Sequence, residues 1–386
     1  MSQEFLYIDN LPSLKEYCSK LKGSSWLAID TEFEREKTYY PELCLLQITD
    51  GLQAAVIDPL VINDLSPLMG LIYDHSIVKV FHSARQDLEI FYFLQGSVPF
   101  PLFDTQLAAP LLGYPEQMGY GNLVKAILGV ELSKSHTRTD WKRRPLNKGQ
   151  LRYAVDDVIY LARIYIKMTE RMKALKRHEW LKKDFEAMTD PDIYEPDTEH
   201  AWRRIRSANR LRGKKLSVLQ SLAKWREETA RKENCPRNWL LRDDAIIDIS
   251  KQLPVNREGL SSIKGMHDRI VRKYGSDLLR IITKAQQQEP EPLPEKKGNK
   301  SLGTDQESML DAMMAIVRIR AAENDLNPAI LAPRKELEKL LWGEPSMLTT
   351  SWRQHMIGNE LRSFLDGALS LRVHSGTLVF EPNPKQ

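Results

Sequence analysis

Short apolar runs and helical stripes alternate over the first 180 or so residues of the chain. WLAID (26–30), LCLLQIT (43–49), AAVID (54–58) and IVKVF (77–81) are too short for buried helices and read as strands. Between and after them, residues 11–22, 84–95, 104–112, 121–128 and 147–174 repeat apolar positions near the 3.6 period and read as helices. This alternation predicts an α/β layer domain, with the strand order left open. At 184–200 the text turns acidic and proline-punctuated, DFEAMTDPDIYEPDTEH, as a connection does. Beyond it strand signals cease. A second break, QEPEPLPEKKGNKSLGT at 288–304, has the composition of a linker. The pattern therefore predicts an α/β domain over 1–183 and two small all-α modules over 201–287 and 305–386.

The two helical modules share a spaced pattern, R-x3-A-x5-P-x5-R. It is spelled by Arg226, Ala230, Pro236 and Arg242 in the first and by Arg318, Ala322, Pro328 and Arg334 in the second. A tandem of diverged copies is the expectation.

Composition narrows the class. With 42% hydrophobic residues in 386, the chain has ample material for packed cores. No run approaches the roughly 18–20 apolar residues of a membrane span, and MSQEFLYIDNLPSLKEY lacks a cationic segment ahead of an apolar one, so a cytoplasmic protein is expected. Cys18, Cys44 and Cys235 are far apart in sequence, which excludes zinc sites of the usual spacing and suits reduced, structural thiols. The net charge of +4 hides an asymmetry: residues 1–200 carry −6, 201–290 carry +11 and 291–386 carry −1. A basic middle segment points to a polyanionic partner.

Chemistry enters with the acidic residues. In WLAIDTEFE, Asp30 and Glu32 stand two apart at a strand end, so both side chains leave one face. Two such carboxylates repel unless a cation lies between them, and an all-oxygen set suits Mg²⁺ or Mn²⁺. Asp87, in VFHSARQDLEIF, falls where a strand runs into a helix; alone it reads as an acid complementing a helix N-terminus. In LRYAVDDVIYL, Tyr153 and Asp157 share a helix face, whereas Asp156 is roughly 100° away round the helix.

Taken in order, these motifs resemble the DEDD exonucleases, in particular the subgroup whose last motif is Y-x3-D. The sister subgroup has a histidine five residues before the last aspartate, where this chain has Arg152. IDTEFEREKTYYPELCLLQI and DWKRRPLNKGQLRYAVDDVIYL extend the likeness to the ribonuclease D family, and LQSLAKWREETARKENCPRNWLLRDDAIIDI resembles the HRDC module. The resemblance implies an RNase H-like exonuclease domain, a mixed sheet flanked by helices, followed by two HRDC-type domains, the second degenerate. It implies two divalent cations, Mg²⁺ or Mn²⁺, with Asp30 bridging both, Glu32 and Asp157 completing the first, and Asp87 supporting the second through water. Tyr153 would orient the attacking water. The implied activity is 3′-to-5′ exoribonucleolysis releasing nucleoside 5′-monophosphates, with RNA bearing a free 3′ end, tRNA precursors among it, as substrate. The separately linked modules give no sign of a symmetric interface, so a monomer is expected. A DNA-directed exonuclease and a non-catalytic RNA-binding scaffold are the alternatives. A helicase is excluded by the lack of any G-x4-G-K-[ST] phosphate loop.

Two basic clusters are candidate RNA grips. Lys142, Arg143 and Arg144, with Lys148 and Arg152, precede or begin the helix of the last motif. Arg203, Arg204, Arg206 and Arg210, with Arg212, Lys214 and Lys215, form the denser cluster. Phe33 is a candidate stacking residue for a terminal base. His82 is expected to be a packed histidine at a strand end.

Overall fold

A computed structural model describes residues 4–133, 139–293 and 302–383; part of the 288–304 linker, residues 294–301, lies outside the described residues. Six strands form one mixed sheet: β1 (Phe5–Ile8), β2 (Trp26–Glu34), β3 (Glu42–Thr49), β4 (Ala54–Ile57), β5 (Val78–Phe81) and β6 (Leu102–Asp104). Their order is β1-β4-β3-β2-β5-β6. β3 runs antiparallel to β2 and β4, while β5 pairs parallel with β2 and with β6. The four expected strands are present, and β2 extends past WLAID to Glu34. β1 and β6, four and three residues long, are additional to the strands expected from the sequence.

The helices are α1 (Leu11–Leu21), α2 (Ser66–Ile72), α3 (Arg85–Gln95), α4 (Thr105–Ala108), α5 (Tyr120–Leu128) and α6 (Lys148–Ala174). The start of α6 is fixed by a capping box: Gln150 N–H donates to Asn147 Oδ1 at 2.9 Å and Asn147 N–H to Gln150 Oε1 at 2.8 Å. Its apolar stripe, Ala154, Val155, Val158 and Ile159, packs with Leu45, Ala54 and Val56 of the sheet. The sheet thereby gains a helix over the face to which Asp30 and Glu32 point.

The connection at 184–200 is not a free tether. It begins in α7 (Lys182–Ala187), and its Phe185 and Tyr194 are buried, the Phe185 ring 5.3 Å from that of Phe103. The first helical module is then built on α8 (Gly213–Lys232), whose Leu219, Leu222 and Ala223 form a core with Ile246 and Ile249 of helix Asp243–Gln252 and Leu278 and Ile282 of helix Asp268–Ala285.

The second module repeats the order long helix, short turn, helix in Thr304–Glu323, Pro328–Leu331 and Arg334–Leu341. The shared register is 91 residues, from Arg237 to Pro328 and from Asp243 to Arg334. The R-x3-A-x5-P-x5-R matches are spaced one residue further, so buried Ala230 corresponds to buried Ala321 and not to exposed Ala322. After helix Asn359–Leu365 the chain also forms a hairpin, β7 (Leu369–His374) and β8 (Thr377–Pro382), which adds strand to a module expected to be all helix.

This module is packed into the α/β domain. Leu310, Met313, Ile316 and Leu361 share one apolar cluster with Ile29, Phe81, Leu111 and Met172. The indoles of Trp180 and Trp352 stack at 4.3 Å and 10°. Buried Arg177 donates to the carbonyls of Leu111, at 2.7 Å, and Asn324. Arg177→Met, which removes donors from two carbonyls at this seam, is expected to cost about 2 kcal/mol of stability. A chemical-denaturation curve checks this; an unchanged midpoint would show that the seam does not depend on Arg177.

Candidate active site

Alternation along β2 sends Asp30 and Glu32 to the face covered by α6 and Thr31 to the other. One turn apart on α6, Tyr153 and Asp157 face them. Carboxylate oxygens of Asp30, Glu32 and Asp157 all lie within 4.8 Å of one another. Asp87, in the first turn of α3, stands outside that trio: its Oδ1 accepts the Thr31 hydroxyl at 2.5 Å. Asp156 is turned away, 2.6 Å from the Arg152 guanidinium.

The electrostatics follow from burial. Desolvation first, then the Asp157 charge, hold the Asp30 carboxyl well above the usual carboxylate range. Burial and the neighbouring Asp30, Asp157 and Asp87 push Glu32 up to about 9. Burial and adjacent Asp156 push Asp157 up to about 7. Burial and Asp30 also raise Asp87, against the pull of the Thr31 hydrogen bond. Such a cluster of hard oxygen donors, each disfavoured as a bare anion, fits a divalent cation. The phenol of Tyr153 is raised by burial and then by Asp157, Glu32 and Asp30, so it remains a hydroxyl.

A pocket of about 250 Å³ is lined by Asp30, Thr31, Glu32, His82, Tyr120, Tyr153, Asp157 and Leu161. Tyr120 had no place in the sequence reading. It opens α5 and its hydroxyl donates to the Asp157 carbonyl, tying α5 to the turn of α6 that carries the carboxylate. Only its position after Gly119 at a helix start marked it in sequence, and that signal is too common to single it out. His82 does stand at the end of β5, but it also walls the pocket, with Nδ1 2.9 Å from Thr105 Oγ1 and its ring 5.3 Å from Tyr120. The ring of Tyr153 stacks on buried Trp141 at 6.2 Å and 28°.

From Glu32 a wider groove of about 920 Å³ continues along Phe33, Lys37, Thr38, Trp141 and Lys142. Phe33 therefore borders the groove while resting on the apolar core. The basic candidates separate. Lys142 lies in the groove paired with Glu42, and Arg143 is exposed. Arg144 is not available as a phosphate grip: its guanidinium holds buried Asp58 at 2.7 Å and the Cys44 carbonyl at 2.8 Å, and Tyr7 donates to the same carboxylate at 2.6 Å. Arg203 is paired with Glu291 at 2.5 Å, and Arg204 lies 3.6 Å from Glu227. Arg206, Arg210, Arg212, Lys214 and Lys215 are exposed.

A carboxylate trio on a central strand and a crossing helix, in a mixed sheet, defines a 3′-5′ exonuclease domain, and the family model described as 3′-5′ exonuclease matches residues 5–173. The HRDC domain model matches residues 215–282. Ribonuclease D of Sphingobium indicum is 38% identical over 380 residues, covering 96% of this chain and 97% of that protein. Ribonuclease D of Pseudomonas paraeruginosa is 39% identical, covering 95% and 98%. The crystal structure of Escherichia coli RNase D, described as an exoribonuclease involved in structured RNA processing, superposes with a TM-score of 0.77 at 31% identity, covering 95% of this chain and 99% of that one. The chain belongs to the ribonuclease D family. It is an exoribonuclease, and neither the DNA-directed nor the non-catalytic alternative is favoured.

Two outcomes test the geometry. Because Glu32 and Asp157 hold protons that the unfolded chain releases near pH 4, metal-free protein is expected to lose stability as pH rises from about 4 through about 9. Saturating Mg²⁺ removes the repulsion, so the gap in melting temperature between Mg²⁺ and EDTA should widen from about pH 6 to about pH 9; a constant gap would contradict the crowding. Arg144→Met leaves Asp58 buried and uncompensated, a loss of about 3 kcal/mol in a urea titration. RNA affinity measured below the unfolding transition should be unchanged.

Proposed function

We propose that this exoribonuclease removes nucleoside 5′-monophosphates one at a time from the 3′ ends of structured RNAs, tRNA precursors among them. The observation that carries the reading is the convergence of Asp30, Glu32 and Asp157 beside the Tyr153 hydroxyl. The similarity to an RNase D described as acting in structured RNA processing supports the substrate class. In this reading Asp30, Glu32 and Asp157 would hold divalent cations, two Mg²⁺ or Mn²⁺ ions, with Asp87 completing the acidic set. Bound there, the cations supply the positive charge that acidifies a water and neutralises the leaving oxygen.

The chain's own groups do the rest. Tyr153, kept protonated by its surroundings, orients the water by its hydroxyl and does not serve as the base. Trp141 fixes the phenol ring by stacking. Thr31 holds the Asp87 carboxyl at the back of the strand. The water oxygen adds to phosphorus and gives up a proton to solvent, the bond to the 3′ oxygen of the preceding nucleotide breaks, and that oxygen takes a proton from solvent to leave a new 3′ hydroxyl. Phe33 and Lys142 border the approach to the site, exposed Arg143 follows Lys142 in the chain, and the exposed cluster Arg206 to Lys215 is a second surface for phosphates. In domain terms, the exonuclease is 1–183, an HRDC domain 201–287 and a degenerate HRDC-like domain 305–386, joined at 184–200 and 288–304. A monomer in the cytoplasm is the form proposed; among the described residues no helix is long and apolar enough to cross a membrane.

Asp30→Asn and Asp157→Asn are each expected to slow hydrolysis of a 5′-labelled RNA by about a hundredfold or more, with RNA binding retained. Asp156→Asn should stay near wild type and Tyr153→Phe should fall between. An inactive Asp156→Asn beside an active Asp157→Asn would overturn the assignment.

For the second surface, replacing Arg206, Arg210, Arg212, Lys214 and Lys215 together by Gln should flatten the dependence of log K on log salt by about 0.7 per lost phosphate contact. Binding isotherms with single-stranded RNA at four salt concentrations measure it. An unchanged slope would leave the groove as the main grip.

A further inference from the structure

The connection between β2 and β3, residues 35–41, leaves the strand that carries Asp30 and Glu32. Through Lys37 and Thr38 it forms part of the groove wall. Its far end meets its own domain through the Tyr40 ring, 4.5 Å from that of Phe93, and otherwise reaches out of it. Tyr39, 9% exposed, belongs to the apolar core of the HRDC domain, where its buried companions run from Trp202 to Ala285. Its hydroxyl donates to Glu227 Oε1 at 2.5 Å, and that carboxylate is itself buried, 3.4 Å from Arg237 and 3.6 Å from Arg204.

The backbone of the loop is held as well. Asn234 Oδ1 accepts the N–H groups of both Tyr39, at 3.0 Å, and Tyr40, at 3.1 Å. Asn234 lies just past the end of α8 with φ +45°, the left-handed position that closes a helix and that glycine usually fills. Asparagine is among the few side chains that enter this region readily. It closes the helix as glycine would and adds an acceptor that glycine lacks. Arg231, on the last turn of α8, reaches the Tyr40 hydroxyl at 3.3 Å. Without Asn234 Oδ1, two loop N–H groups lose their acceptor, and the loop is left on the HRDC domain by the Tyr39 side chain and the Arg231–Tyr40 contact.

We propose that Asn234, Tyr39 and Glu227 form a latch through which the HRDC domain positions the wall of the active-site groove. They are positioning residues: they touch neither the carboxylate trio nor its pocket, and act through the loop that follows Glu32. The HRDC domain thus acts on the reaction by shaping the groove, in addition to any hold on RNA. This rests on the reading that the groove beside Glu32 is the path of the RNA.

Asn234→Gly is the primary test, because glycine suits the left-handed backbone and removes only the acceptor. In the full-length chain, without metal or RNA, amide hydrogen exchange at residues 35–41 should accelerate while the rest of the HRDC domain keeps its protection. With metal, kcat/KM should fall about tenfold, the scale of losing two ordinary hydrogen bonds. It should fall equally for a five-nucleotide RNA and a long one, since the wall lies at the site. Asn234→Asp retains both the backbone preference and the acceptor, and should restore activity. Tyr39→Phe, which keeps the ring, should show the same effects to a smaller extent and serves if the glycine variant does not fold.

Unchanged exchange, or faster exchange with wild-type kcat/KM, would overturn the latch. So would a loss confined to the long RNA, which would make the HRDC domain a tether only. The exchange measurement does not involve the carboxylates, so failure of the latch and failure of the metal-site assignment are separately visible.

Discussion

Mutual repulsion among carboxylates withdrawn from water is the constraint around which this protein is arranged. Asp30 and Glu32 share a strand face, Asp157 meets them from α6, and Asp87 approaches from α3. No folded chain gathers such groups for stability, because each raises the cost of ionising the others. The surroundings have to hold them in place at a cost. β2 sits inside the sheet between β3 and β5, α6 is fixed by its capping box, and Tyr120 ties α5 to the Asp157 turn. Rigid elements fix each carboxylate in place, the preorganisation that a charge-stabilising site needs.

Much of this was legible in sequence because periodicity maps directly onto direction. An i, i+2 pair on a strand and an i, i+4 pair on a helix must each share a face, so the DxE and Y-x3-D motifs could be placed before the fold was known. Asp156 and Asp157 could be told apart on the same ground, and Asp156 is paired with Arg152. What could not be read depends on long-range pairing. β6 is too short to show a period, β1 is marked out only by its parallel pairing with β4, and Tyr120 acquires its role only when α5 meets α6. Arg144 looked like one more cation in a basic run, yet its partner Asp58 is 86 residues away. The C-terminal hairpin is a different kind of miss. Alternating LSLRVH and TLVFEP flank Ser375-Gly376, both at positive φ, and that two-residue signal was present in the chain.

The helical modules relate to the nuclease in opposite ways. The HRDC domain has its own apolar core and meets the nuclease through a loop, one buried tyrosine and a helix-closing asparagine. Contacts of this kind, made of a few directional bonds around one inserted ring, define a relative position without merging two cores. The C-terminal module has no such separation, since its long helix contributes Leu310, Met313 and Ile316 to the apolar cluster that lines the sheet.

That sharing changes what counts as a domain here. Measured by its hydrophobic interior, the nuclease is discontinuous: one part runs to Tyr194, another begins at Leu302, and the HRDC domain is an insertion between them. Contacts such as Asn327 N–H to the Pro110 carbonyl, at 3.0 Å, span more than two hundred residues of chain. Loop-closure entropy has to be met before such pairings form, which makes the assembly of this core a late and cooperative event. Unfolding of the C-terminal module is correspondingly not a local opening, because it strips the covering from Leu111 and Met172 and exposes the nuclease interior to water.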